Sequence, residues 1–165
     1  MVADSATVPL AGAGREQSSD PSFARDPVLR ALAEHLLATE QKHLRLISGW
    51  LPPAEHSRLL PLWRLAGFLT GALPALFGSK AVYATIEAVE TFVDHHYDEQ
   101  VCALASQPSL TDLRHTLLDG QANEVAHRDE ATAARGPGEL GWVMRVWCAM
   151  AGAGSKGAIA LIRHI

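Results

Sequence analysis

Two short motifs of the same form stand out in the sequence, Glu40-Gln41-Lys42-His43 and Glu124-Val125-Ala126-His127. On a helix, a spacing of three puts both side chains on one face, one turn apart, so each motif aims a carboxylate and an imidazole at a common point. Helical bundles use such pairs to hold one iron or manganese of a dinuclear centre, and two copies suggest two metals. A single pair would mean little in a chain with 8 histidines, because chance supplies the spacing. Asp112-Leu113-Arg114-His115 has a related form, but it stands at an expected helix start, where capping explains the acid.

Register gives the two pairs their weight. Leu29, Leu32, Ala33, Leu36, Leu37, Leu44 and Ile47 follow the spacing of one helix face, and Glu40 and His43 fill the gap in that stripe. Glu90 sits between Ile86 and Val93 on a second stripe that continues through Tyr83, Tyr97, Val101 and Leu104, while Glu124 and His127 extend a line begun by Leu113 and Leu117. Three helices thus each point a carboxylate at the core. Burying such a charge alone is prohibitively costly, so the groups must be paired, protonated or metal-bound. A structural salt-bridge network is the alternative; two pairs in core register, with Glu90 on a separate stripe, favour the metal. Mixed carboxylate and imidazole donors without nearby thiolates suit a redox-active iron pair better than structural zinc.

The elements that must carry these residues can be read from punctuation and period. Asp26-Pro27 supplies a capping acceptor and a ring suited to the first helical position, and Pro52-Pro53 ends the first helix. Leu59 to Gly78 is almost wholly apolar, yet Arg64, Pro61, Pro74, Gly67 and Gly71 interrupt it; it reads as a broken apolar hairpin, buried or inserted at an interface, and not as a membrane span. Ser79 is the expected cap of the next helix, which Pro108 ends. Ser109-Leu110-Thr111-Asp112 has the form of a capping box with Asp in place of Glu, and Gly136-Pro137-Gly138 closes the helix it opens. From Glu139 to Ile165, the residues Leu140, Val143, Trp147, Ala151, Gly154, Ala158 and Ile162 form one stripe of a packing helix. No strand-like alternation occurs, so the expected class is all-α, with residues 1–25 disordered and one helical domain over 26–165.

Composition narrows the function. The 165 residues make one domain, and 14 basic against 18 acidic side chains give a net charge of −4, without the basic excess that nucleic acid demands. Cys102 and Cys148 are too few for a disulfide framework and read as inert buried thiols in a reducing setting. No secretory signal opens the sequence, so an intracellular protein is expected. Trp50, Trp63, Trp142 and Trp147 flank the apolar segments, which suits a membrane interface and core packing about equally.

Trp63-Arg64-Leu65-Ala66-Gly67-Phe68, then Gly71-Ala72, then Ala88-Val89-Glu90 with His95-His96-Tyr97 resembles the demethoxyubiquinone hydroxylases of ubiquinone biosynthesis, which are ferritin-like di-iron monooxygenases. Both Glu-x-x-His motifs match that family in order and spacing, and the resemblance runs from Leu37 to Ile165. It implies a ferritin-like helical bundle with an extra apolar helical hairpin. It implies that Glu40, His43, Glu90, Glu124 and His127 ligate two iron ions, with Glu40 and Glu124 bridging, and that His96 and Tyr97 lie near the quinone. The implied reaction is hydroxylation of the ring of a demethoxyubiquinone-type polyprenyl quinone, using molecular oxygen and an electron donor. The implied setting is the cell membrane, with the protein bound peripherally on its cytoplasmic side and the apolar segment admitting the isoprenoid tail.

One departure stands against this pattern. The family opens with a further helix bearing a Glu ligand in an Ala-Gly-Glu context, where this sequence reads Leu10-Ala11-Gly12-Ala13, so the first bundle helix is expected to be missing or degenerate. Glu87 is better placed to substitute than Glu16 or Glu34, although its plainer reading is an exposed partner for Lys80. A lost ligand also supports a second reading, a metal-impaired quinone- or lipid-binding homologue acting as an accessory protein. A homo-oligomer or helper protein would then cover the open side of the bundle.

Overall fold

The structure is a computed structural model that describes residues 26–50 and 59–162, with the side chains of 158–162 left aside. Five α-helices make up the described residues: α1 (Pro27–Trp50), α2 (Leu60–Ala75), α3 (Ser79–Leu104), α4 (Thr111–Arg135) and α5 (Trp142–Ile162), with a single 3₁₀ turn at Pro108–Leu110 before α4. No strand occurs among them, and the all-α class holds. The expected disorder of residues 1–25 and the stop at Pro52-Pro53 lie outside the described residues.

The core is built by α1, α3 and α4. At one end Leu29, Leu32 and Leu36 of α1 meet Val82, Tyr83 and Ile86 of α3 and Ala131 of α4. Further along, Tyr97 and Val101 of α3 meet Leu117 of α4, flanked by Val93, Leu104, Leu113 and Leu118. The sequence order of these contacts makes α4 antiparallel to α3, with α1 running alongside in the direction of α3. Each fully buried leucine here contributes about 2 kcal/mol by leaving water. Helices α2 and α5 pack against α3 from outside; α5 is pinned by Trp147, whose indole N–H donates to Thr85 Oγ1 at 3.0 Å.

Several local expectations change. Leu60–Ala75 is one continuous helix and not a hairpin, because Pro61 occupies the first turn, where no N–H is needed, and Pro74 falls in the last turn. Ser79 is the first residue of α3 and not its cap; Gly78, at φ +93°, makes the turn, and the Ser79 side chain is bonded to Asp26 instead. The capping box at Ser109 does not form, since residues 108–110 wind into the 3₁₀ turn and the Thr111 hydroxyl donates to the Pro108 carbonyl at 2.8 Å. Leu44 and Val143 face outward, each about half exposed, and Cys102 is exposed, against the stripes and burial assigned from the sequence. On α5 the apolar set Trp142, Val143, Val146 and Met150 is exposed, each by half or more.

The Asp26 cap forms as read. Its Oδ1 accepts from the backbone N–H groups of Val28 and Leu29, both at 3.0 Å, and its Oδ2 accepts from the Tyr83 hydroxyl at 3.5 Å. The Leu29 N–H, against some desolvation, draws the carboxyl below the usual Asp range with help from Ser79, Val28 and Tyr83. Asp26 therefore joins the starts of α1 and α3. Replacing Asp26 with Ala should cost about 1 kcal/mol, measured by urea unfolding at neutral pH. A carboxyl with a lowered folded pKa stabilises above the unfolded value and loses that effect as pH falls, so the difference between the two proteins should be full above about pH 4 and shrink below it.

Candidate metal centre

Between the two apolar clusters the three core helices leave a short polar layer, and all five predicted ligands enter it. Glu40 and His43 come from α1, Glu90 from α3, and Glu124 and His127 from α4. Their side chains are buried: Glu124 and His127 are 1% and 2% exposed, His43 9% and Glu40 12%. Glu90 is buried to the same degree as His127.

Glu124 is the hub. His43 Nδ1 lies 3.4 Å from its Oε1 and His127 Nδ1 lies 3.5 Å from its Oε2, so one carboxylate faces an imidazole on each side. Glu40 Oε1 is 3.9 Å from His43 Nδ1. Donor atoms of Glu40, Glu124 and His127 all fall within 4.8 Å of one another, a spread suited to holding a cation. The donors are not consumed by each other. His43 Nδ1, His127 Nδ1 and Glu124 Oε1 are all buried without a well-formed hydrogen bond. Buried polar atoms are seldom left so, and three of them gathered about the Glu124 carboxylate suit the binding of a cation.

The acids respond differently to burial. Desolvation, reinforced by the Glu124 charge, raises the Glu40 carboxyl to about 7. Glu90 is pushed well above the usual carboxylate range by burial and then by Glu124. Burial works against Glu124 too, but contacts with His127, His43 and Glu90 outweigh it and hold this group ionised, at about 2. Contact with Glu124 raises His43 despite desolvation. The layer thus keeps a negative charge on Glu124, favours the protonated form of His43 and disfavours charge on Glu40 and Glu90; a bound cation would favour the ionised acids.

Around this layer lies a second tier that the sequence did not single out. Asp94 Oδ1 accepts from Gln121 Nε2 at 2.8 Å and its Oδ2 accepts from Arg128 at 2.9 Å, tying α3 to α4 on both sides of Glu124. Asn123 Nδ2 stands 3.2 Å from His43 Nε2. His35 and His127 meet edge to face with ring centroids 5.6 Å apart, and His35 Nδ1 is 3.3 Å from Glu130. None of these has a diagnostic spacing; their partners are up to 95 positions away.

The other proposed residues fall in different places. Tyr97 is buried next to the carboxylates; burial and the charges of Glu124, Glu40 and Glu90 all push its hydroxyl upward, so it keeps its proton. Its ring lies over Gly120, where an added Cβ would sit 3.0–3.2 Å from the Tyr97 hydroxyl and ring, so only glycine admits the tyrosine without displacement. His96 stacks on Phe92, with centroids 6.1 Å apart, and has Gln100 at 2.7 Å and Glu99 at 3.8 Å on its own helix. His95 is exposed. Glu87 pairs with Arg135 of α4 at 2.9 Å and not with Lys80; Glu34 is exposed, and Glu16 lies outside the described residues.

Comparison with known proteins finds similar chains. A family model described as ubiquinone biosynthesis protein COQ7 matches residues 17–162. The chain is 36% identical over 97 residues to a 3-demethoxyubiquinol 3-hydroxylase of Rhodospirillum rubrum, covering 58% of this chain and 45% of the relative. It is 30% identical over 116 residues to the protein of the same description from Ralstonia pickettii, covering 69% and 52%. It is 44% identical over 88 residues to a mitochondrial 5-demethoxyubiquinone hydroxylase of Saccharomyces cerevisiae, covering 52% and 38%. The aligned regions span about half, or less, of these curated relatives.

A metal that binds only the folded chain should stabilise it by about 2.7 kcal/mol at a hundredfold excess over its dissociation constant. Anaerobic Fe(II) should therefore raise the thermal midpoint, a chelator should reverse the shift, and the Glu124→Ala variant should show none. An unsubstituted chain with no shift would mean that the five groups balance one another without a metal.

Proposed function

The chain belongs to the COQ7 family of ubiquinone biosynthesis proteins, and from that premise we propose that it is a di-iron monooxygenase that hydroxylates the ring of a demethoxyubiquinone-type quinone. The observation that carries the proposal is the gathering of Glu40, His43, Glu90 and His127 around Glu124 in one buried layer within a chain of this family. These five residues would hold the metal. The irons, when bound, would supply the activation of molecular oxygen that amino-acid side chains cannot perform.

The chain's own residues have distinct tasks in this scheme. The apolar clusters above and below the polar layer exclude bulk water, so that charge within the layer is strongly felt. Tyr97 holds a neutral hydroxyl beside the carboxylates and can donate a hydrogen bond to a quinone oxygen. His96, half-buried and braced by Phe92 and Gln100, would border the same ring. An electron donor and molecular oxygen complete the reactants.

The polyprenyl tail calls for an apolar approach. Leu62, Leu65, Phe68, Leu69, Leu76 and Phe77, on α2 and the turn after it, are all between about two-fifths and three-quarters exposed. Among the described residues no helix is long and apolar enough to cross a membrane. This run of exposed apolar side chains supports peripheral attachment to a membrane from which the substrate is drawn.

The test is turnover of a short-tailed demethoxyubiquinone in detergent, with Fe(II), a reductant and isotopically labelled dioxygen. The expected product carries one labelled oxygen on the ring; Glu124→Ala should abolish it and Asp112→Ala, an exposed change, should leave it intact. Binding of the quinone without any labelled product would replace the hydroxylase reading with that of a quinone-binding accessory protein.

A further inference from the structure

His43 has a polar neighbour at each of its ring nitrogens. Nδ1 points into the polar layer, 3.4 Å from Glu124 Oε1, and is buried without a well-formed hydrogen bond. Nε2, on the far side of the ring, faces the Asn123 side-chain amide at 3.2 Å. Asn123 precedes Glu124 directly on α4, so a helix that contributes one ligand also carries the group that touches the back of a ligand on α1.

A neutral imidazole has one N–H and one lone pair, and whichever nitrogen binds a metal must offer the lone pair. An imidazole that ligates through Nδ1 carries its proton at Nε2, the atom that the Asn123 side-chain amide faces. The carbonyl oxygen of that amide can accept from Nε2–H, and its NH₂ end, of nearly the same size, cannot.

We infer that Asn123 is a positioning residue that sets the tautomer and ring orientation of His43, its carbonyl oxygen accepting from Nε2–H when Nδ1 ligates. This inference rests on the metal-centre reading. It assigns to a neutral side chain the role that a carboxylate or backbone carbonyl commonly plays behind a ligating histidine.

The test uses Co(II), whose visible absorption reports its ligands, titrated anaerobically into the intact chain and into variants at position 123. Asn123→Leu, close in size and without polar atoms, should weaken Co(II) binding by about 10–100-fold. Asn123→Asp can only accept from Nε2–H and should restore binding to at least the unsubstituted level. Because Asp also adds a negative charge, the double variant Asn123→Leu with Ala122→Asp places the same charge on an exposed neighbour without the acceptor, and should not restore binding. Helical circular dichroism of each metal-free variant separates loss of fold from loss of affinity. Unchanged affinity in Asn123→Leu, or equal recovery in the double variant, would overturn the inference and leave the metal centre standing. A chain that binds no Co(II) in any form would overturn both.

Discussion

A carboxylate stripped of its water must find replacement partners within a few ångströms, and Glu124 meets that demand with an imidazole from α1 on one side and one from its own helix on the other. The rest of the bundle is arranged around this requirement. Removing one partner of a buried charge pair commonly costs about 3–5 kcal/mol, since it strands the other. The layer cannot, however, be fully satisfied by its own members. Three acids, Glu40, Glu90 and Glu124, face two imidazoles, one acid more than these can neutralise, and burial drives Glu40 and Glu90 toward their protonated forms. A set of groups that opposes the ionisation of two of its acids, and leaves three donor atoms without a well-formed hydrogen bond, suits a cation better than a salt bridge.

The apolar parts of the fold serve the same layer. Leucines of α1 with Val82, Tyr83 and Ile86 close one side, and Tyr97, Val101 and Leu117 close the other. Helices α3 and α4 cannot slide past each other without breaking the bonds of Asp94 to Gln121 and Arg128 or the pair of Glu87 with Arg135. The close approach at Gly120 fixes where Tyr97 can sit. Rigid α3 and α4 thus define the position of Glu90, Glu124 and His127, while α1 brings Glu40 and His43 to meet them. Helices α2 and α5 stand outside this frame and keep apolar faces for another surface.

The site was more legible in the sequence than the element boundaries. Glu40, His43, Glu90, Glu124 and His127 interrupt apolar stripes of period 3.6, so burial of each could be inferred from its own helix alone. Ser79 and Ser109 misled because capping depends on backbone angles: Gly78 took the turn in one case, and the Pro108 turn displaced the helix start in the other. Pro61 and Pro74 suggested a break because their positions within a helical turn were unknown. Asn123, Gln121 and Asp94 escaped notice since each is an ordinary polar residue beside a stripe, and its importance lies in a partner on another helix. Leu44 and Val143 fit the spacing of buried stripes and face outward, because period alone does not say where a neighbouring helix ends.

The most direct test is the location of the metal itself. Crystals of the chain prepared with Fe(II) and measured with X-rays just above and just below the iron absorption edge would show iron as a difference in anomalous scattering. The expected result is two peaks inside the bundle, both within bonding reach of Glu124, with one also reached by His43 and the other by His127. Anomalous peaks confined to exposed acids, or a well-ordered polar layer with no iron between α1, α3 and α4, would contradict the account.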